Sequence, residues 1–161
     1  MKITMLCVGS LKEAYWRDAV AEYAKRMSRF CTLEILETPE KKLPANAGAA
    51  EEQAVVEEES RRLAEKIPAS PQAQVIALDI CGKELSSTEL AGRMSEWTLQ
   101  GKSELVFLIG GSLGMSRSLL DRADFRLSFS PMTFPHQLMR VLLLEQVYRA
   151  FKINHNQPYH K

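Results

Sequence analysis

Cysteine is scarce in this chain, and its spacing fits neither a disulfide framework nor a zinc site. Only three cysteines occur in 161 residues, at Cys7, Cys31 and Cys81, with no CxxC pair and no histidine at ligand spacing. Disulfide-rich secreted domains and structural zinc sites need such spacings, so we expect neither, and no metal ion. Sparse, unpaired cysteine favours a reducing, cytosolic location.

Long hydrophobic runs are also missing. The opening residues, MKITMLCVGS, hold too short an apolar stretch for a secretion signal and are typical of a strand. The apolar run near the C-terminus is interrupted by Arg140 and Glu145, and it falls short of the roughly 20 residues that span a bilayer. We therefore expect a soluble protein with no membrane partner.

An excess of charge of either sign is lacking over the whole chain, but the charge is unevenly distributed. The net charge of +1 argues weakly against a general nucleic-acid binder. One segment is acidic, at Glu51, Glu52, Glu57, Glu58 and Glu59. From Arg126 onward Glu145 is the only acidic side chain, and the basic and histidine side chains are Arg126, Arg140, Arg149, Lys152, Lys161, His136, His155 and His160. We expect this C-terminal part to face a polyanion; scattered, solvated charge is the alternative.

Strand-like and helix-like patterns alternate along the whole chain. The predicted strands are Lys2–Val8, Thr32–Glu37, Val75–Ile80, Glu104–Ile109 and Arg126–Ser130. The predicted helices are Lys12–Phe30, Glu51–Lys66, a segment from a capping box at Ser86 to Gln100, Arg117–Ala123, and a last helix from Pro135 to Ile153. This order predicts an α/β fold with a mostly parallel sheet flanked by helices. With no repeat or linker, we expect a single domain over residues 1–161.

Ligands of such sheets bind at the carboxyl ends of the strands, which draws attention to the loops after Ile80, Ile109 and Ser130. The loop after Ile109 is a glycine turn within LIGGSLGMS, where Gly110 and Gly111 allow close approach of a ligand to the backbone. The chain lacks both G-x-G-x-x-G and the Lys-Ser/Thr of a P-loop. A plain chain reversal is an equally good interpretation of this turn.

The loop SPMTFPHQ, from Ser130 to Gln137, is stiffened by two prolines, Pro131 and Pro135. Pro135 suits the first turn of the last helix, with Thr133 or Phe134 near its cap. The loop would present fixed backbone groups beside Phe129, Met132 and Phe134. A flat apolar slot with backbone hydrogen bonds at its edge suits an adenine; the alternative is a rigid connector.

The last helix carries two polar residues on its apolar side. Eleven of the sixteen residues from Leu138 to Ile153 are apolar, and Glu145, Gln146, Arg149 and Lys152 form the side expected to meet water. Arg140 falls on the opposite side, with His136 one turn before it. A buried guanidinium is costly unless it is paired or lines a site. His136, in the first turn, should tend toward its neutral form, and Arg140 could hold an anion. The alternatives are a histidine bonded to backbone and an arginine that pairs with a carboxylate across a subunit interface.

The tail, Asn154–Lys161, combines polar, aromatic and cationic side chains. Tyr159 and His160 could stack on a base and Lys161 could meet a phosphate. A frayed terminus is the default interpretation.

Four blocks of the chain together resemble one family. They are LDICGK (Leu78–Lys83), FLIGGSLGMS (Phe107–Ser116), LSFSPMTFPHQLMRVLLLEQVYRAFKI (Leu127–Ile153) and YHK (Tyr159–Lys161). The chain resembles the SPOUT (α/β-knot) superfamily over its whole length. Within it, the chain is similar to the bacterial group that methylates N3 of a pseudouridine in 23S rRNA.

The resemblance implies a C-terminal trefoil knot, a rare exception to unknotted topology. It implies S-adenosylmethionine as methyl donor, held by Leu78, Gly110, Phe129, Ser130, Pro131, Met132, Thr133 and Phe134. It also implies a cytoplasmic homodimer, with the last helix in the interface, that acts on the assembled ribosome.

In this scheme His136 and Arg140 border the methyl group, and Arg140 stabilises the uracil-type anion. Tyr159, His160 and Lys161 would come from the partner subunit to grip the flipped base or its phosphate.

Three alternatives remain open at this point. One is a SPOUT methyltransferase that acts on tRNA or another rRNA position. A second is a dinucleotide-dependent oxidoreductase, disfavoured by the missing G-x-G-x-x-G and by the lack of an acidic residue about 20 positions after Gly110. The third is a non-catalytic dimer that binds the ribosome.

Overall fold

A computed structural model describes residues 1–159, and within them five strands alternate with five helices. The strands are β1 (Lys2–Val8), β2 (Thr32–Thr38), β3 (Ala73–Glu84), β4 (Glu104–Ile109) and β5 (Phe125–Ser128). The helices are α1 (Ala14–Met27), α2 (Ala49–Lys66), α3 (Ser87–Leu99), α4 (Arg117–Leu120) and α5 (His136–Asn154). Each predicted element is present; β1 and β4 have the predicted bounds, and the other elements have shifted ends.

The strands form one parallel sheet in the order β2-β1-β4-β3-β5, which confirms the predicted α/β class. Side chains of β1 alternate between the two faces of the sheet, as the pleat requires. Met5 packs in a core with α1, α3 and α5, whereas Leu6 packs in a second core with α2 and α4. The central strands are therefore buried on both faces, which explains their continuous apolar sequences.

The largest difference from the prediction is the length of β3. Val75–Ile80 was expected, but the strand runs from Ala73 to Glu84 because it pairs with β5 twice. Leu127 lies opposite Leu78 and, after an irregularity, opposite Lys83. Gly82 lies in this irregularity, where an added Cβ would be 2.7 Å from the backbone carbonyl of Arg126. On β3 the second pairing uses Lys83 and Glu84, which are polar and exposed, so no hydrophobic pattern marks this part of the strand.

The other differences concern the ends of elements. Helix α1 is shorter than predicted, β5 begins one residue earlier and ends two residues earlier, and α2 begins at Ala49. Pro135 is the N-cap of α5 rather than a residue of its first turn, so His136 is the first helical residue. Over residues 1–159 no helix has both the length and the hydropathy that a bilayer crossing requires.

The parallel arrangement determines where a ligand could bind. The loops after β3, β4 and β5 leave the sheet at the same edge because the strands run in the same direction. Helix α5 begins at this edge, so His136 is brought to the same place as the glycine turn and the proline-rich loop.

Candidate active site

A cleft of about 730 Å³ lies at the carboxyl ends of β3, β4 and β5. Its walls are largely apolar and include Leu78, Ile109, Leu127, Phe129 and Met139. Backbone groups of the glycine turn and of the proline-rich loop complete the lining. The size and composition are typical of sites for a small organic ligand.

The glycine turn is packed so closely that side chains are excluded at two positions. A Cβ on Gly110 would lie 2.9 Å from the carbonyl oxygen of Gly114, and one on Gly111 would lie 2.5 Å from Oε2 of Glu59. Gly114 adopts a positive φ of 82° and donates from its N–H to the Gly111 carbonyl at 3.1 Å. The segment is thus both a tight chain reversal and a wall of the cleft made of backbone.

The proline-rich loop forms the opposite wall. The Met132 N–H donates to Oγ of Ser130 at 3.0 Å, and the Ser128 hydroxyl donates to the Ser130 carbonyl at 3.3 Å. Phe134 lines the cleft, and Met132 stands at its rim with 72% of its surface exposed. These short-range hydrogen bonds and the two prolines hold the backbone in place.

Seven of the eight residues predicted to hold a cofactor line this cleft: Leu78, Gly110, Phe129, Ser130, Met132, Thr133 and Phe134. Pro131 is the eighth, and it is exposed and does not line the cleft within the described part of the chain. A proline at that position stiffens the loop from outside.

His136 also lines the cleft, at the N-terminus of α5. Burial lowers the pKa of its imidazole, Glu40 opposes the shift, and Arg140 and Lys12 reinforce it. The ring is therefore neutral at pH 7, with a nitrogen lone pair free to accept a proton or a hydrogen bond. The direction predicted from the helix terminus is confirmed, and burial is its first cause.

Arg140 lies behind the cleft instead of in it. Its side chain is fully buried and bonds to Glu37 Oε1 at 2.5 Å from Nη1, and to the carbonyl oxygens of Val8 and Gly9 at 3.0 and 2.7 Å from Nη2. It is absent from the cleft lining formed by residues 1–159. The resemblance predicted a position for Arg140 beside the methyl group, whereas the structure places it behind the cleft. A buried guanidinium is stabilised where it meets a carboxylate and carbonyl oxygens.

Tyr159 packs on the outer side of α5, away from the cleft of its own chain. Its hydroxyl donates to Glu145 Oε2 at 2.9 Å, and the guanidinium of Arg149 lies 4.6 Å from its ring centroid. The polar side of α5, which was expected to meet water, is only partly exposed. Gln146 on this side accepts a hydrogen bond from the Ser87 hydroxyl of α3 at 2.7 Å. His160 and Lys161 lie outside the described residues.

One buried acid was missed by the sequence analysis. The sequence indicated only that Glu59 belongs to an acidic segment, whereas its side chain is 2% exposed in the structure. Its Oε1 accepts from the Lys41 N–H at 2.8 Å, and its Oε2 faces Gly111. Burial raises the pKa of its carboxyl. Its position, four residues after Val55 and four before Leu63 on the buried side of α2, was the available signal.

No group of three metal-ligating side chains occurs among the residues that the structure describes. The cleft is lined mainly by apolar side chains, and its polar lining residues include Asp79, Thr133 and His136, whose imidazole pKa is lowered by burial. Such a site suits an organic ligand with a flat heteroaromatic part.

Comparison with known proteins identifies the family. The family described as predicted SPOUT methyltransferase matches residues 1–160. The chain belongs to the SPOUT methyltransferase family.

Full-length relatives support this assignment. Two curated relatives, from Carboxydothermus hydrogenoformans and Bifidobacterium adolescentis, are each 52% identical over 161 residues, covering all of both chains. Both are named ribosomal RNA large subunit methyltransferase H.

Solved structures share the fold of this SPOUT protein at low identity. A probable methylase family protein from Haemophilus influenzae gives a TM-score of 0.53 at 11% identity, over 99% of this chain and 70% of that one. The A. aeolicus TrmH/SpoU tRNA modifying enzyme also gives 0.53, at 14% identity, over 99% and 81%.

Proposed function

We propose that this SPOUT protein transfers a methyl group from S-adenosylmethionine to ribosomal RNA, at N3 of a pseudouridine in 23S rRNA of the assembled ribosome. The observation that carries the proposal is the cleft between the glycine turn and the proline-rich loop, in a chain with full-length relatives named as large-subunit rRNA methyltransferases.

The residues of the cleft fit such a donor. The volume of about 730 Å³ is within the range for a cofactor of this size. Phe129 and Phe134 would flank the adenine, Leu78 and Gly110 would contact the rest of the molecule, and Ser130, Met132 and Thr133 would supply backbone groups, with Pro131 stiffening the loop. When bound, the donor supplies an electrophilic methyl group on a sulfonium.

His136 is the proposed proton acceptor. Pseudouridine N3 carries a weakly acidic proton, which must leave as the methyl group arrives. A neutral imidazole at the cleft wall is a suitable acceptor, and burial keeps His136 in that form at neutral pH. The step also depends on the alignment of the two reactants, which rigid walls favour.

Arg140 is proposed as a positioning residue that also contributes positive charge from behind the cleft. It lies one turn after His136 on α5 and ties that helix to the carboxyl end of β1. The role assigned to it by the resemblance, direct stabilisation of a uracil anion, would require a different arrangement of these hydrogen bonds.

We further propose a cytoplasmic homodimer with a knotted C-terminal part. Tyr159, His160 and Lys161 of one subunit would grip the target base at the cleft of the other. Half-exposed apolar residues on α5, such as Val141 and Leu142, are available for such an interface.

The deciding experiment supplies labelled S-adenosylmethionine and maps the methylated base. Ribosomes lacking the modification, free 23S rRNA and tRNA are offered in parallel. The proposal expects transfer to the ribosome at one pseudouridine. Methyl transfer to tRNA or to another rRNA position would show that the substrate is a different one. Ribosome binding without methyl transfer would indicate a non-catalytic binding protein.

A further inference from the structure

We propose that a basic groove between the C-terminal ends of α1 and α5 binds the phosphate backbone of the RNA substrate. This inference rests on the proposed function and adds a second RNA contact to it. The groove has a volume of about 440 Å³. Its cations are Lys25, Arg26, Arg29 and Lys152, and its rings are Phe30, Tyr148 and His155. We call it the α1–α5 groove.

The positive charge of the α1–α5 groove is largely uncompensated. Its acid, Glu22, is paired with Arg26 at 2.8 Å. Within residues 1–159, no carboxylate lies within ion-pair distance of Lys25 or Arg29, and Lys152 bonds to a neutral amide, that of Gln157, at 2.7 Å. The C-terminal end of a helix attracts cations through the helix dipole. That effect explains a lysine at each end, but not the convergence of cations from two helix ends on one cavity.

Aromatic rings lie directly beside these cations. The ring centroids of Phe30 and His155 are 5.1 Å apart, and Tyr148 meets the Phe30 ring edge-on at 6.1 Å. Phe30 is partly buried and stacks on Phe151 at 5.5 Å, whereas His155 is exposed and is the ring available to a base. Cations that surround partly exposed rings are typical of surfaces that follow an RNA strand, because the cations neutralise phosphates and the rings stack with bases.

The groove is remote from the cleft of its own chain, but Gln157 in its lining is two residues before Tyr159, which the proposed homodimer places at the partner's cleft. Helix α5 begins at the cleft with His136 and reaches the groove at Lys152, a rise of about 24 Å. An RNA with its target base in the partner's cleft could therefore place flanking phosphates in this groove. A symmetric contact between two copies through this groove would instead place cations against cations, which is unfavourable.

The test uses the full-length protein with the double substitution Lys25→Glu/Arg29→Glu. The matched control is Lys66→Glu/Arg122→Glu, which makes the same change of charge at exposed residues on the other side of the sheet. A second variant, Lys25→Arg/Arg29→Lys, keeps the positive charge. Affinity for the ribosome, its salt dependence, KM and kcat for methyl transfer, S-adenosylmethionine affinity and oligomeric state are measured for each.

We expect the Lys25→Glu/Arg29→Glu variant to raise the KM for ribosomes at least about tenfold. The slope of log affinity against log salt concentration should become shallower by the contribution of about two phosphate contacts. Affinity for S-adenosylmethionine and kcat at saturating ribosome should stay within about twofold. The control and the charge-conserving variant should behave as wild type.

Unchanged ribosome affinity in the charge-reversed variant would overturn the inference. So would a shift of that variant alone to a different oligomeric state, since the groove would then be a contact between subunits. Ribosome binding is measured separately from methylation. A wild-type protein that binds ribosomes but transfers no methyl group would refute the proposed function, and the binding data would still test the role of the groove.

Discussion

The guanidinium of Arg140 on α5 lies 2.5 Å from the carboxylate of Glu37 on β2, and its side chain is fully buried. Through Val8 and Gly9 the same group contacts the end of β1. One side chain thus joins the last helix to the two strands at one edge of the sheet, immediately behind the cleft.

Replacing Arg140 with Ala should therefore destabilise the fold as well as affect activity. The change leaves the carbonyls of Val8 and Gly9 without their donor, whereas the Glu37 side chain is 39% exposed and can be hydrated. We therefore expect the free energy of unfolding to fall by about 1–3 kcal/mol. Urea unfolding measures this loss, with Glu37→Gln and the double variant completing a cycle. A stable Arg140→Ala protein that had lost only methyl transfer would instead place Arg140 in the chemistry.

Replacing His136 with Gln should flatten the pH dependence of stability below neutrality. Burial lowers the pKa of His136 in the folded state, so the unfolded chain binds the proton more readily. The contribution of the neutral His136 ring to the free energy of unfolding is complete above the pKa of histidine in the unfolded chain. This contribution is lost as the pH falls toward the lowered pKa of the folded state. Unfolding free energies of both proteins between about pH 5 and 8 test this.

The same pH series tests the proposed proton acceptor. Wild-type methyl transfer at saturating substrates should fall as His136 becomes protonated, and His136→Gln should lose turnover with little change in S-adenosylmethionine affinity. A variant with wild-type turnover would exclude His136 as the proton acceptor.

Gly82→Ala should destabilise the protein by about 2 kcal/mol or more, because the new Cβ would meet the Arg126 backbone at 2.7 Å and backbone cannot move aside cheaply. Gly92→Ala is the matched control. Gly92 lies within α3 with nothing within 4 Å of an added Cβ, so the change should stabilise the helix by about 0.5–1 kcal/mol. Urea denaturation of both variants measures the contrast, and equal effects would contradict the close approach at Gly82.

Gly110→Ala should weaken S-adenosylmethionine binding at least about tenfold. The added Cβ would lie 2.9 Å from the Gly114 carbonyl oxygen, so the turn must shift and alter the cleft wall. Calorimetric titration with S-adenosylmethionine measures the affinity, and circular dichroism checks that the fold is retained. Unaltered affinity in a folded variant would show that the ligand does not depend on this wall.

Several features of the site were predictable because they depend on local sequence. The order of strands and helices follows from hydrophobic period, and the parallel sheet follows from continuous apolar strands such as Glu104–Ile109. The convergence of Gly110, Phe134 and His136 follows from the common direction of the strands.

Other features depended on contacts between distant residues. The partner of Arg140 is 103 positions away in sequence, and the groove that unites Arg29 with Lys152 requires α1 and α5 to pack side by side. Burial of Glu59 depends on how α2 faces the glycine turn. No local pattern specifies such distances.

The sequence by itself determined which segments are strands and helices, the parallel order of the fold class and the identity of the loops at the ligand-binding edge, because these follow from periodicity and backbone chemistry. Only the tertiary structure decided that Arg140 supports the cleft from behind, that Glu59 is buried and that basic residues of α1 and α5 share one groove. Such placements depend on which charges find partners once distant elements pack together, since burial makes an unpaired charge costly.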